Sequence, residues 1–191
     1  MKVSKIAVAV LALAAPFAMA QTSTWKSDAA HSEVDFSILH LGVSHVHGRF
    51  GHVDTTIVLD EKDITKSTVN ATIDITALST GETPRDSHLK TDAFFDVAKF
   101  ATATFVSTGV TKTATGLSVT GNLTLHGVTK PVVLNVEGPT APVTGMDKKP
   151  HEGFSATTTL HRLDFGIGAN FPAAVVGDEV VLTIELDVAK Q

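Results

Sequence analysis

Five of the nine histidines fall between His31 and His52. On a strand, His45 and His47 of the run His45-Val46-His47 share one face, a spacing that metal sites use. A third ligand would have to come from His40, His52 or a carboxylate. The chain has no cysteine and no H-E-x-x-H pattern to support the pair. A metal-binding or metal-buffering module is therefore the alternative reading. It stands against a set of exposed loop histidines, and no residue is assigned as a metal ligand. Catalytic constellations are poorer still. Serine, histidine and aspartate are present, but no G-x-S-x-G elbow is. The carboxylates are scattered over turns and apparent outer faces. Gly48-Arg49-Phe50-Gly51 and Phe165-Gly166-Ile167-Gly168 lack the strand-to-helix setting of a phosphate loop. Neither an enzyme nor a cofactor follows from this inventory.

Composition narrows the field further. The chain has 191 residues, 43% hydrophobic and 18% charged, which fits one folded domain or two small ones at most. Fifteen basic groups against 20 acidic ones leave no electrostatic footprint for nucleic acid. The lack of cysteine removes disulfides, thiolate metal sites and thiol nucleophiles together. Residues 1–20 read as a secretory signal peptide. Lys2 and Lys5 make a basic start, Ile6 to Ala15 is apolar, and Ala18-Met19-Ala20 is a cleavage signal before Gln21. The apolar run is too short to span a bilayer, and no cysteine follows the cleavage site to carry a lipid anchor. Losing the two lysines takes the net charge from −5 to −7. The mature chain, residues 21–191, has no later integral membrane segment by hydropathy. It is expected to be exported and periplasmic.

The elements that position these residues are strands. Val34, Phe36, Ile38 and His40 alternate with Asp35, Ser37 and Leu39. Between Phe50 and Leu59 the apolar parity shifts, and Gly51 at the shift suggests a bulge. Period-two runs recur through Val69–Ile75, Ala101–Phe105, Leu117–Leu125, Val132–Val136, Phe154–Leu160 and Val180–Val188. Turn signals such as Thr115-Gly116 and His126-Gly127 separate them. Pro84 to Lys99 interrupts the pattern and reads as one or two short helical turns. About eight strands at regular spacing predict an all-β sandwich or barrel.

Parity places two polar side chains on apolar rows. His40 continues the row of Val34, Phe36 and Ile38. Arg162 continues the row of Phe154, Ala156, Thr158 and Leu160. A buried arginine needs a carboxylate, a ligand head group or water. Either the rows have reached a rim where the side chains snorkel, or they form a polar mouth on an apolar cavity. Phe36, Phe50, Phe94, Phe95 and Phe105 fall on inward rows or on the helical insertion. They would pack a solid core or line one ligand site.

Four segments in order resemble the YceI-like family of exported polyisoprenoid- or lipid-binding proteins. They are DAAHSEVDFSILHLGVSHVHGRF (Asp28 to Phe50), RDSHLKTDAFFDVAKFATATF (Arg85 to Phe105), GNLTLHGVTKPV (Gly121 to Val132), and HRLDFGI (His161 to Ile167) followed by VGDEVVLTIEL (Val176 to Leu186). Together they span nearly all of the mature chain. His47 and His161 stand where arginine and asparagine are frequent, and Ala101 where proline is. None of these departures touches the apolar rows.

The resemblance implies an antiparallel, lipocalin-like β-barrel of about eight strands with a short helical insertion. It implies a long-chain isoprenoid or acyl lipid as ligand. Phe36, Ile38, Phe50, Leu89, Phe94, Phe95 and Phe105 are carried over as apolar lining, and His40, Arg85, Asp86 and Arg162 as the mouth. For Arg85 and Asp86 a cap or salt bridge holding the insertion is the competing role. A lipid-dependent enzyme acting on isoprenoid quinones is a further rival, for which the sequence offers no acid–base pair. A homodimer is left open.

Overall fold

Alternating Thr, Val and Ile put one face of each segment toward a core and the other toward water, and the chain folds accordingly. The computed structural model describes residues 21–191; the segment read as a signal peptide lies outside the described residues. The strands are β1 (Thr22–Ser27), β2 (Glu33–His40), β3 (Ser44–Arg49), β4 (Val53–Asp60), β5 (Thr68–Asp74) and β6 (Thr102–Lys112). They continue with β7 (Leu117–Leu125), β8 (Val128–Glu137), β9 (Val143–Thr144), β10 (Pro150–His161) and β11 (Val176–Lys190). One helix, α1 (Thr83–Leu89), falls in the predicted insertion, with Pro84 in its first turn. No helix among the described residues is long and apolar enough to cross a membrane.

Every pairing is antiparallel, and β10 pairing with β11 closes the sheet into an eight-stranded barrel. The count of eight arises because three pairs of strands share a wall, the two-residue β9 continuing β8 along β10. β11 pairs with β2 through Val176–Glu185 and with β1 through Val188–Lys190, so β1 and β2 follow one another along one edge. β3 and β4 succeed each other in the same way across Phe50-Gly51-His52. At that point the structure has a strand break rather than a simple bulge. The Gly51 amide donates to Asp74 O at 2.8 Å. A Cβ on Gly51 would lie 2.8 Å from the Ala77 Cβ and 2.9 Å from that carbonyl, so the approach requires glycine.

Two boundaries differ from the sequence reading. β8 starts at Val128 and runs through Pro131, although proline lacks an amide donor. β10 pairs only with Asn135–Glu137, so Pro131 lies where β8 has a free edge, which is where sheets tolerate proline. The β10 row ends at His161. Arg162 does not extend the strand but opens a 3₁₀ turn, Arg162–Phe165, closed by Gly166 at φ 71°.

Candidate functional site

At the end of the barrel that carries α1, the inward rows do not meet. They leave a cavity of about 330 Å³. Val34, Phe36 and Ile38 of β2 wall one side, Leu123 and Leu125 of β7 another, and Val180 and Leu182 of β11 a third. Leu89, Phe94, Phe95 and Phe171 cover the end. The aromatic rings form two contacting groups. Phe50 lies 5.1 Å from Phe36 and 5.8 Å from Phe95, edge-on to the latter. Phe94 stacks on Phe171 at 4.8 Å, and His88 meets both edge-on. Such rings bury much apolar area in tilted and offset contacts.

The polar lining is His40, Arg85, His88 and Arg162, with no carboxylate. Arg162 is the surprise. It is 4% exposed, yet it forms no salt bridge among the described residues. Instead its guanidinium donates to five backbone carbonyls. Nε reaches Gly177 at 2.9 Å, Nη1 reaches Ile167 and Gly168 at 2.8 and 2.7 Å, and Nη2 reaches Phe171 and Val176 at 2.7 and 2.8 Å. The five N–H donors of the fork are thereby used. Burial pulls its pKa down, with Asp178 opposing. None of the three partners expected for a buried arginine is the one found. Arg162 ties the loop carrying Phe171 to the start of β11 and has no donor left for a head group.

Arg85 and Asp86 divide the two roles between them. Asp86 does not line the cavity. It accepts from the Thr80 amide and hydroxyl at 2.7 and 2.6 Å and from the Ser79 hydroxyl at 3.1 Å. The Thr80 hydroxyl is the main cause of a carboxyl pKa below the usual range. Asp86 therefore fastens the chain entering α1. Arg85 does line the cavity. Its Nε donates to Thr80 Oγ1 at 2.7 Å and its Nη2 to Thr80 O at 3.1 Å, which leaves Nη1 uncommitted among the described residues.

Of the residues named from sequence, Phe36, Ile38, His40, Phe50, Arg85, Leu89, Phe94, Phe95 and Arg162 come together around this cavity. Asp86 and Phe105 do not. Phe105 is buried deeper in the barrel, at 5% exposure. The reading missed Phe171, His88 and Val175. Phe171 sits in a loop without periodicity, and no sequence signal marks it. Val180 and Leu182 were legible as an inward row of the last strand.

The histidine run separates in space. His45 and His47 are exposed neighbours on β3 with ring centroids 6.3 Å apart. His52 faces Asp54 at 3.7 Å, and His31 pairs with Asp28 at 2.9 Å. His31, Asp28 and Asp187 do approach one another. Each has an ion-pair partner there, His151 serving Asp187 at 2.6 Å.

A YceI-like domain model matches residues 25–188 of the chain. The chain belongs to the YceI-like family. The protein YceI of Salmonella arizonae is 39% identical over 159 residues, 81% of this chain and 81% of that protein. The crystal structure of the Campylobacter jejuni YCEI protein is similar with a TM-score of 0.71 at 30% identity, covering 81% of this chain and 90% of that one. A polyisoprenoid binding domain from Saccharophagus degradans has the same fold, with a TM-score of 0.63 at 18% identity, covering 87% of this chain and 98% of that domain. This YceI-like barrel thus shares its strand plan with its relatives.

Proposed function

We propose that this YceI-like protein is an exported, periplasmic carrier that holds a long apolar chain, isoprenoid or fatty-acyl, inside the barrel. The observation that carries this reading is the 330 Å³ cavity, walled by aliphatic and aromatic side chains and free of carboxylates. The polyisoprenoid binding of the Saccharophagus domain supports it by analogy of fold. A long hydrocarbon tail cannot cross an aqueous compartment free. Burying about ten methylenes at roughly 0.8 kcal/mol each gives about 8 kcal/mol, a micromolar Kd before ordering costs. Tail selectivity is then loose, and the head group is the discriminating end. Arg85, a lining residue whose Nη1 has no hydrogen-bond partner among the described residues, is the candidate to meet an anionic or hydroxyl head group. With no carboxylate in the lining to orient His40 or His88 as a catalytic base, binding rather than turnover is the chemistry the cavity supports.

Native mass spectrometry of protein exported and purified without detergent tests this directly. A discrete apolar adduct, lost on denaturation and recovered by organic extraction, is the expected result. A clean mass, unchanged after incubation with prenyl and acyl lipids, would overturn it.

A further inference from the structure

Beyond the waist of the barrel, away from α1, lies a second and smaller apolar cavity of about 70 Å³. The inward rows run from one cavity to the other. On β5, Ala71 stands between Ile73, which faces the first cavity, and Val69, which faces the second. On β7 the residue between is Gly121, with Leu123 on one side and Val119 on the other. On β10 it is Thr158, between Leu160 and Ala156. All three are small. On β6 the residue at this level is Phe105, directly opposite Ala71 in the ladder, with Thr55 beyond Ala71. Thr55 is 3% exposed and its hydroxyl has no hydrogen-bond partner among the described residues. The Phe105 ring lies on the Gly121 backbone. A Cβ there would come within 2.3 Å of Cζ and 2.5 Å of Cε2.

Small barrels fill their interiors in layers of side chains. Here one level sets the Phe105 ring among Ala71, Gly121, Thr158 and Thr55, with Val132 and Leu182 as the ladder partners of Gly121 and Thr158. We infer that Phe105 sets the length of apolar chain the barrel accepts: its ring, seated on Gly121, parts two cavities that become one channel when the ring is removed. The inference rests on the reading of the larger cavity as a lipid site. It adds that the tail enters past Phe36 and Phe95 and stops at the level of Phe105, whose ring lines neither cavity and fills the space between them.

Binding of saturated fatty acids, lengthened stepwise from about ten to about twenty carbons, tests it, because each buried methylene multiplies affinity about fourfold. In the unaltered protein affinity climbs with length and then levels where the chain end meets the ring. In Phe105→Ala the climb continues through several more carbons. Phe105→Leu, a milder change that keeps the core filled, gives a smaller shift in the same direction. Adding Val119→Phe to Phe105→Ala refills the second cavity and restores the original break. A break at the same length in both single variants overturns the inference, as does a shift that survives Val119→Phe. An unaltered protein that binds no chain of any length overturns the cavity reading and this inference with it.

Discussion

Phe36 and Gly48 face each other across the β2–β3 ladder, and the ring occupies the space a side chain on Gly48 would need. A Cβ there would stand 2.3 Å from Phe36 Cζ and 2.9 Å from the Thr80 Cγ2. Thr80 is the residue that Asp86 and Arg85 hold. Gly48 thus lets the cavity wall, the β3 strand and the approach to α1 meet in one place. Gly48→Val should drive the Phe36 ring into the cavity. The expected cost is about 1–3 kcal/mol of stability by overpacking, with ligand affinity lowered more than Phe36→Leu lowers it. Urea unfolding and a ligand titration on the two variants check this. Equal affinities for Gly48→Val and the unaltered protein would show that the ring has another place to go.

Arg162 is expected to matter for stability and cavity shape rather than for head-group contact. Arg162→Met removes five charge-assisted hydrogen bonds, two of them to the buried Ile167 and Gly168 carbonyls, of which Gly168 O keeps the Phe171 amide as donor. A loss of about 3 kcal/mol or more is expected, since unsatisfied buried groups keep their desolvation cost. Arg162→Lys, which keeps the charge but not the fork, should recover only part of it. Equilibrium denaturation measures both. Near-normal stability of the Met variant would mean that water reaches those carbonyls freely.

Most of the barrel is readable from the sequence, because a strand with one buried face writes its burial in alternate residues. That periodicity places β2, β6, β7 and β11, and therefore Phe36, Ile38 and Phe105 as inward residues. It cannot give depth along the barrel axis, so Phe105 looked like cavity lining when it is the waist. Arg162 was visible as a polar residue ending an apolar row. Its partners were not, because all five are main-chain carbonyls from residues 167–177 and leave no side-chain signature. Phe171 was hidden for the same reason. Asp86 and Arg85 are adjacent in sequence, but Asp86 meets Ser79 and Thr80 while Arg85 meets Thr80 and the cavity.

The pH dependence of stability should carry a signature from His151. Its Nδ1 meets Asp187 at 2.6 Å and its Nε2 meets Asp147 at 3.1 Å, so both ring nitrogens donate when the ring is charged. The Asp187 hydrogen bond, then that of Asp147, raises its pKa above the ordinary 6.5. A raised folded-state pKa means that this stabilisation is complete below the unfolded value and fades as pH rises through the folded one. Unfolding midpoints should therefore fall as pH rises from the ordinary histidine value through the raised folded one in the unaltered protein, and fall less in His151→Gln. An NMR titration of the His151 ring would place the folded pKa directly. A midpoint at or below the ordinary value would show that the two carboxylates do not hold it.

Phe95 gives the sharpest test of where the tail lies. It is half-buried, packs edge-on against Phe50 and lines the cavity from the segment after α1 rather than from a barrel strand. Phe95→Glu should leave the sheet intact, because no ladder hydrogen bond depends on it. It sets a carboxylate against apolar rings, where a charge is costly without a partner. Apolar ligand binding should be lost or reduced by at least about a hundredfold, the equivalent of roughly 2.7 kcal/mol. Far-UV circular dichroism should keep its β signature. Arg85→Gln provides the contrast. It should weaken ligands with anionic head groups while sparing uncharged ones of equal tail length, because Arg85 is a cationic lining residue whose Nη1 has no hydrogen-bond partner among the described residues. Unchanged binding in a folded Phe95→Glu protein would move the ligand away from the α1 end of the barrel, and Arg85 would lose its role with it.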